Sequence, residues 1–104
     1  MKVRIPKRFP AGDKVYRIRC TKRHDDEMDM AELDGLARHG ARMEVLIRSG
    51  LDPQALQETL VHEVLHCEDT QYNPSGKRLS EDQVSGLAHG MAQFLKSIGV
   101  EFTY

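Results

Sequence analysis

Tryptophan is absent from this chain of 104 residues, and aromatic residues of all kinds make up only 6% of it. Only two cysteines occur, Cys20 and Cys67, with no C-x-x-C pair. That excludes a disulfide framework and leaves reduced thiols as the reading. No apolar run approaches the ~18 residues that a membrane span needs, so no membrane association is expected. The N-terminal stretch "MKVRIPKRFPAGDKVYRIRC" is basic but has no continuous apolar core. It is not read as a signal peptide, and a cytoplasmic location is expected. No repeat, linker or low-complexity tract divides the chain, so residues 1–104 are expected to form one domain with one modest core.

The chain also has little net charge, −1 at neutral pH, but the charges are unevenly placed. Residues 1–23 hold nine Lys or Arg against a single acid, Asp13, while the remainder carries six bases and fifteen acids. Such polarity fits either a nucleic-acid or acidic-partner patch or an exposed strand face whose basic side chains discourage edge-to-edge pairing. The absence of interleaved aromatics favours the second.

Periodicity places the elements. "KVYRIRC" alternates Val15, Tyr16 and Ile18 with charged residues and reads as a half-buried strand, with a shorter one around Val3 and Ile5 before the "FPAGD" turn. The polar segment "KRHDDEMDMAELDGLARHGA" reads as irregular, with one helical turn around Met30–Leu36. His24 and His39 within it read as solvated. "RMEVLIRS" is the next strand. Asp52-Pro53 then opens a helix, an acidic N-cap followed by proline at the first helical position, running to about Asp69. After the turn-rich "TQYNPSGK", Ser80 and Gln83 form the two halves of a capping box that starts a last helix, stopped by Gly99. "VEFTY" adds a short extended tail. Strands followed by two helices make an α+β fold in which both helices cover one face of a small sheet.

One motif carries chemistry. His62-Glu63-Val64-Leu65-His66 fits H-E-x-x-H. Residues four apart on a helix point the same way, so both imidazoles can reach one Zn²⁺, and the glutamate beside them can take a proton from a water on it. At 100° per residue Leu56, Leu60, Val64 and Cys67 form the apolar arc of this helix, and His62 and His66 fall outside it. A catalytic zinc wants a third protein ligand. Glu81, Asp82, His89, Asp69 and Cys67 are the candidates. Cys67 points into the apolar arc, and Asp69 suits the support of an imidazole better than ligation. On the last helix Val84, Leu87, Ala88, Met91, Phe94, Leu95 and Ile98 are expected to form the buried face. Glu81 continues that face, where a carboxylate is costly without a positive partner, while Asp82 and His89 lie opposite. Glu81 is therefore the favoured third ligand. The plainer alternative is that it complements the helix dipole. Met28, Met30, Met43 and Met91 read as core filler.

With these residues in view, the run from Val15 to Ile98 resembles the small zincin-like metallopeptidase domains of phage and prophage genomes. The resemblance rests on "KVYRIRC", "RMEVLIRS", "QETLVHEVLHCED" and "LSEDQVSGLAHGMAQFL". It implies a minimal zincin fold, with His62, His66 and Glu81 as zinc ligands, Glu63 as general base and a host-cell cytoplasmic setting. The short gap between His66 and Glu81 departs from larger zincins. "AHGMAQF" is loosely similar to the H-G-x-x-aromatic segment of SprT-like proteases, where the histidine would be the ligand. That keeps His89 open against Glu81.

The function expected is hydrolysis of peptide bonds in a peptide or protein substrate by a zinc-activated water, with Glu63 as base and Tyr72 as an aid to the oxyanion. Two alternatives stand beside it. One is a non-catalytic zinc-containing protein-interaction module; the other is a DNA-associated protease using the basic N-terminal strands.

Overall fold

The computed structural model describes residues 1–20 and 34–104. The calls on His24, Met28 and Met30 lie outside those residues. The described elements are, in order, β1 (Lys2–Arg4), β2 (Arg8–Ala11), β3 (Lys14–Arg19), β4 (Gly35–His39), β5 (Met43–Ile47), α1 (Pro53–Tyr72), a 3₁₀ turn (Ser75–Lys77), α2 (Glu81–Ser97) and β6 (Glu101–Thr103). This is the α+β architecture expected, with H-E-x-x-H in the first helix.

The helix starts follow from local chemistry. The Asp52 carboxylate accepts the Ala55 N–H at 2.8 Å with Pro53 at the first helical position. Ser80 and Gln83 exchange both bonds of a capping box. Helix α1 runs three residues beyond the expected Asp69, because its stop is Asn73. That residue sits in extended backbone and precedes Pro74, which disfavours helical geometry in the residue before it.

Four strands form a sheet in the order β2-β3-β5-β4, with β3 and β5 parallel and the outer pairs antiparallel. The β2–β3 hairpin turns at Gly12, whose φ of 62° favours glycine. The Gln71 Cβ would lie 3.3 Å from a side chain there. The expected turn at "FPAGD" is thus mostly strand, with only Gly12 and Asp13 left to turn. β1 joins none of these strands and instead pairs in parallel with β6, Val3 opposite Phe102. That contact ties the two ends of the chain together and is invisible to local periodicity.

Two further expectations are corrected. Leu36 belongs to a strand rather than a helical turn: β4 pairs along its whole length with β5, from Gly35 opposite Ile47 to His39 opposite Met43. The helices also do not share the sheet. Helix α1 alone lies across it, and α2 packs on α1 as an outer layer. The core is therefore built from Tyr16, Val45 and Ile47 below and Leu56, Leu60 and Cys67 above, with Ala11 at its edge. Packed among the described residues on its α1 side, α2 buries Val84, Ala88 and Ala92 but leaves Leu87, Met91, Phe94 and Ile98 exposed. Met91 is not core filler.

Candidate metal centre

The site is assembled by three elements. Helix α1 supplies His62, Glu63 and His66, which bring one donor atom each within 4.8 Å of one another and form a cluster able to hold a metal ion. The first turn of α2 brings Glu81 over the two rings, its Oε1 2.7 Å from His62 Nε2 and its Oε2 3.0 Å from His66 Nε2. Strand β4, the sheet edge beside α1, closes the other side.

The rings meet through the same atom. His62 Nε2 and His66 Nε2 are 3.1 Å apart. Two imidazole lone pairs cannot face each other at that distance unless a proton or a cation lies between them. A carboxylate straddling both nitrogens makes the centre of this triangle electron-rich on three sides. Tetrahedral zinc at ~2.0–2.1 Å from each donor separates its ligands by about 3.3 Å. The observed separations are a few tenths of an ångström below that, so side-chain adjustment alone admits the ion. The donor set fits zinc.

Glu63 is held differently from Glu81. It is 7% exposed, faces the sheet, and accepts a hydrogen bond from the Ala37 backbone in β4. Burial, and then the nearby Glu81 charge, push its carboxyl up to about 7. Gly35 makes this placement geometrically feasible. A Cβ there would stand 2.7 Å from Thr59 Cγ2 and 2.9 Å from Glu63 Cγ, closer than packed atoms come, so only glycine lets β4 lie this near α1. A cleft of about 390 Å³ opens in front, lined by Asp34, Gly35, Ala55, Glu58, Thr59, His62, Glu63 and Glu81. Four carboxylates and no lysine or arginine line it among the described residues.

Several sequence candidates are placed elsewhere. His89 stands against Glu58, 3.4 Å from its Oε1, and borders the separate cleft between the start of α1 and the end of α2. Cys67 is fully buried in the core, its thiol pushed up to about 12 by burial and then by Glu63 and Glu68. Asp69 does not hold an imidazole. It accepts from Asn73 Nδ2 at 2.7 Å and from the Leu79 N–H at 3.1 and 3.2 Å, and so anchors the connection that delivers Glu81. The Asn73 amide, then the Leu79 N–H and Arg78, keep its carboxyl below the usual range against a smaller opposing effect of burial. Tyr72 is not at the site either. Its hydroxyl accepts the Gly12 N–H at 2.8 Å and pins the β2–β3 turn to the end of α1.

His39 is the residue that sequence reasoning misread. It is part-buried rather than solvated, with Nδ1 2.8 Å from the Tyr16 hydroxyl and Nε2 3.5 Å from Thr70 Oγ1. The missed signal was the hairpin itself: "GLARH" and "MEVLI" separated by three residues that include Gly40.

No family model, curated protein or solved structure matches the chain. The H-E-x-x-H cluster is a generic zincin-like feature here, and kinship with phage-type or SprT-like proteases gains no support from comparison. No helix among the described residues is long and apolar enough to cross a membrane.

Proposed function

We propose that the protein is a zinc-dependent peptidase in which His62, His66 and Glu81 hold the ion and Glu63 is the general base. The observation that carries this reading is the convergence of three donors from two helices, at 2.7, 3.0 and 3.1 Å, beside a buried carboxylate. When bound there, Zn²⁺ would lower the pKa of a coordinated water to about 7 and polarise a substrate carbonyl. The chain's own part is positional. Glu81 and the two imidazoles would supply one negative and two neutral donors, three of the four that a catalytic zinc takes, with the fourth place left to water or substrate. Glu63, aimed by the Ala37 hydrogen bond, accepts the proton of the attacking water and returns it to the leaving amine. Glu81 is preferred to Glu63 as ligand because it bridges both rings while Glu63 is turned toward β4. His89, engaged with Glu58, is not used.

The test is a comparison of parent and Glu63→Gln. Elemental analysis should find about one zinc per chain in both, while hydrolysis of a casein-type substrate falls by roughly 10²–10⁴ in the variant. A variant that cleaves as fast as the parent overturns the assignment. The non-catalytic zinc module has one observation in its favour, the exposed apolar flank of α2. It has no use for a buried acid at position 63, so it requires a parent that binds zinc and cleaves nothing. The DNA-associated reading draws less support. Arg19 of the basic strands is engaged by the buried Glu44 at 3.1 Å rather than free for phosphate.

A further inference from the structure

Helix α2 carries a second apolar seam that the described residues do not cover. Leu87, Met91, Phe94 and Ile98 are 49, 46, 56 and 57% exposed. Scattered apolar side chains on a surface need no explanation, but four large ones in one contiguous arc mark a site of contact. Their spacing is four, three, four. This alternation is the seam of a left-handed pair of helices, so the surface is shaped for another helix.

The glycines beside the seam point the same way. Gly86 and Gly90 lie inside α2, and a Cβ at either would meet nothing within 4 Å. A glycine in a helix interior costs about 1 kcal/mol relative to alanine, and nothing among the described residues requires it at these two places. A second backbone drawn close against that flank does require it.

Charge selects the occupant. The positions bordering the seam on its open side are Gln83, Gly90 and Ser97, all uncharged, while on the other side it runs into the half-buried Leu95 and the buried Ala88. Asp82, His89 and Lys96 point to the opposite side of α2. A seam without charge offers nothing to an acidic or basic partner helix and is matched by an equally uncharged one, which the same seam on a second copy supplies. Area agrees. At about half exposure, the four side chains offer on the order of 400 Å² of apolar surface per copy, and the polar rim of such a contact brings this to about 700 Å². That falls within the size range of stable protein interfaces.

We propose that the protein forms a two-fold homodimer in which the Leu87–Met91–Phe94–Ile98 seams of two α2 helices pack antiparallel, with the axis passing between Met91 and Phe94. The patch is then self-complementary, as closed two-fold contacts are, and the helix dipoles oppose favourably. The metal centres lie outside the contact, so assembly is independent of zinc.

Sedimentation equilibrium of the full chain should give twice the 11.8 kDa chain mass at concentrations near 10–100 μM, and Phe94→Glu should raise the dissociation constant at least 100-fold with helix content unchanged by circular dichroism. Gly90→Leu separates an interface from a mere surface: it should raise the thermal midpoint of the monomer through helix propensity while weakening the dimer. Under oxidation Met91→Cys should cross-link between chains and Ile98→Cys should not, with the parent as control for Cys20. A parent that is monomeric at 100 μM overturns the proposal, as does a dimer indifferent to Phe94→Glu. Cross-linking at both cysteine positions overturns the antiparallel arrangement.

Discussion

The Tyr16 cluster ties α1 to the sheet and the His62 cluster ties α1 to α2; both are built from histidine and oxygen-bearing side chains, yet their hydrogen bonding is organised in opposite ways. In the first, Gln71 Nε2 donates to the Tyr16 hydroxyl at 3.0 Å, that hydroxyl shares a hydrogen bond with His39 Nδ1 at 2.8 Å, and His39 Nε2 faces Thr70 Oγ1. Hydroxyls that can both donate and accept stand at either ring nitrogen of His39, so every polar atom in that chain finds a partner. In the second, two imidazole nitrogens and both oxygens of Glu81 are aimed at one point and at each other. A closed chain of bonds fastens a sheet to a helix. A convergence of acceptors needs a proton or a cation among them, and such a cluster is able to hold a metal ion. The contrast separates a histidine that fastens the sheet to a helix from a pair able to hold an ion.

The comparison is broken most forcefully at Glu63. In the metal-free protein its folded value of about 7 lies above the ordinary 4.5, so the neutral carboxyl is the form the fold prefers. The stabilisation it contributes is fully present below pH 4.5 and is lost as pH rises to about 7. Glu63→Gln should therefore make the chelated protein about 3 kcal/mol more stable at pH 8 and flatten the pH dependence of urea unfolding in that window. A variant with the parent's stability at pH 8 would mean that Glu63 is not confined as described. His39 gives the opposite slope. Burial, then His66 and Arg78, lower its pKa, so its contribution is lost as pH falls below its ordinary 6.5.

A smaller effect is expected at the link that carries Glu81 to the rings. Asp69→Ala removes the acceptor for Asn73 and Leu79 without touching a donor atom of the site. Zinc affinity measured by competition with a chromophoric chelator should fall about 10–100-fold, the usual cost of losing such a supporting group. Unchanged affinity would show that the capping box alone places Glu81.

The mildest test lies in the closed cluster. Tyr16→Phe deletes one hydroxyl and strands both His39 Nδ1 and the Gln71 amide, which should cost about 1–3 kcal/mol in urea unfolding. Zinc content should stay at the parent's level. A loss of metal in this variant would erase the distinction between the two clusters.

Particular residues show how much was legible in advance. Asp52, Pro53, Ser80 and Gln83 marked both helix starts, because a cap is satisfied by backbone groups two or three residues away. His62 and His66 could be placed on one face because the helix repeat alone sets their direction. The same reasoning failed for Leu87, Met91, Phe94 and Ile98: periodicity reports which side of a helix is apolar, not whether anything covers it. It failed for β4 as well, whose Gly35 and Ala37 have little side chain to register as a strand and earn their place only by closeness to Glu63.

What the chain determined by itself is therefore the local grammar: two capped helices, the central β3 and β5 strands, and a pair of imidazoles one turn apart. Tertiary structure decided the rest. It brought Glu81 across from a second helix, set β4 at the sheet edge beyond β5, joined β1 to β6 across nearly the whole chain, and left one flank of α2 bare. The reason is range: hydrogen bonds within a turn are specified by neighbours in sequence, whereas the meeting of distant segments depends on how all the apolar surfaces are buried together.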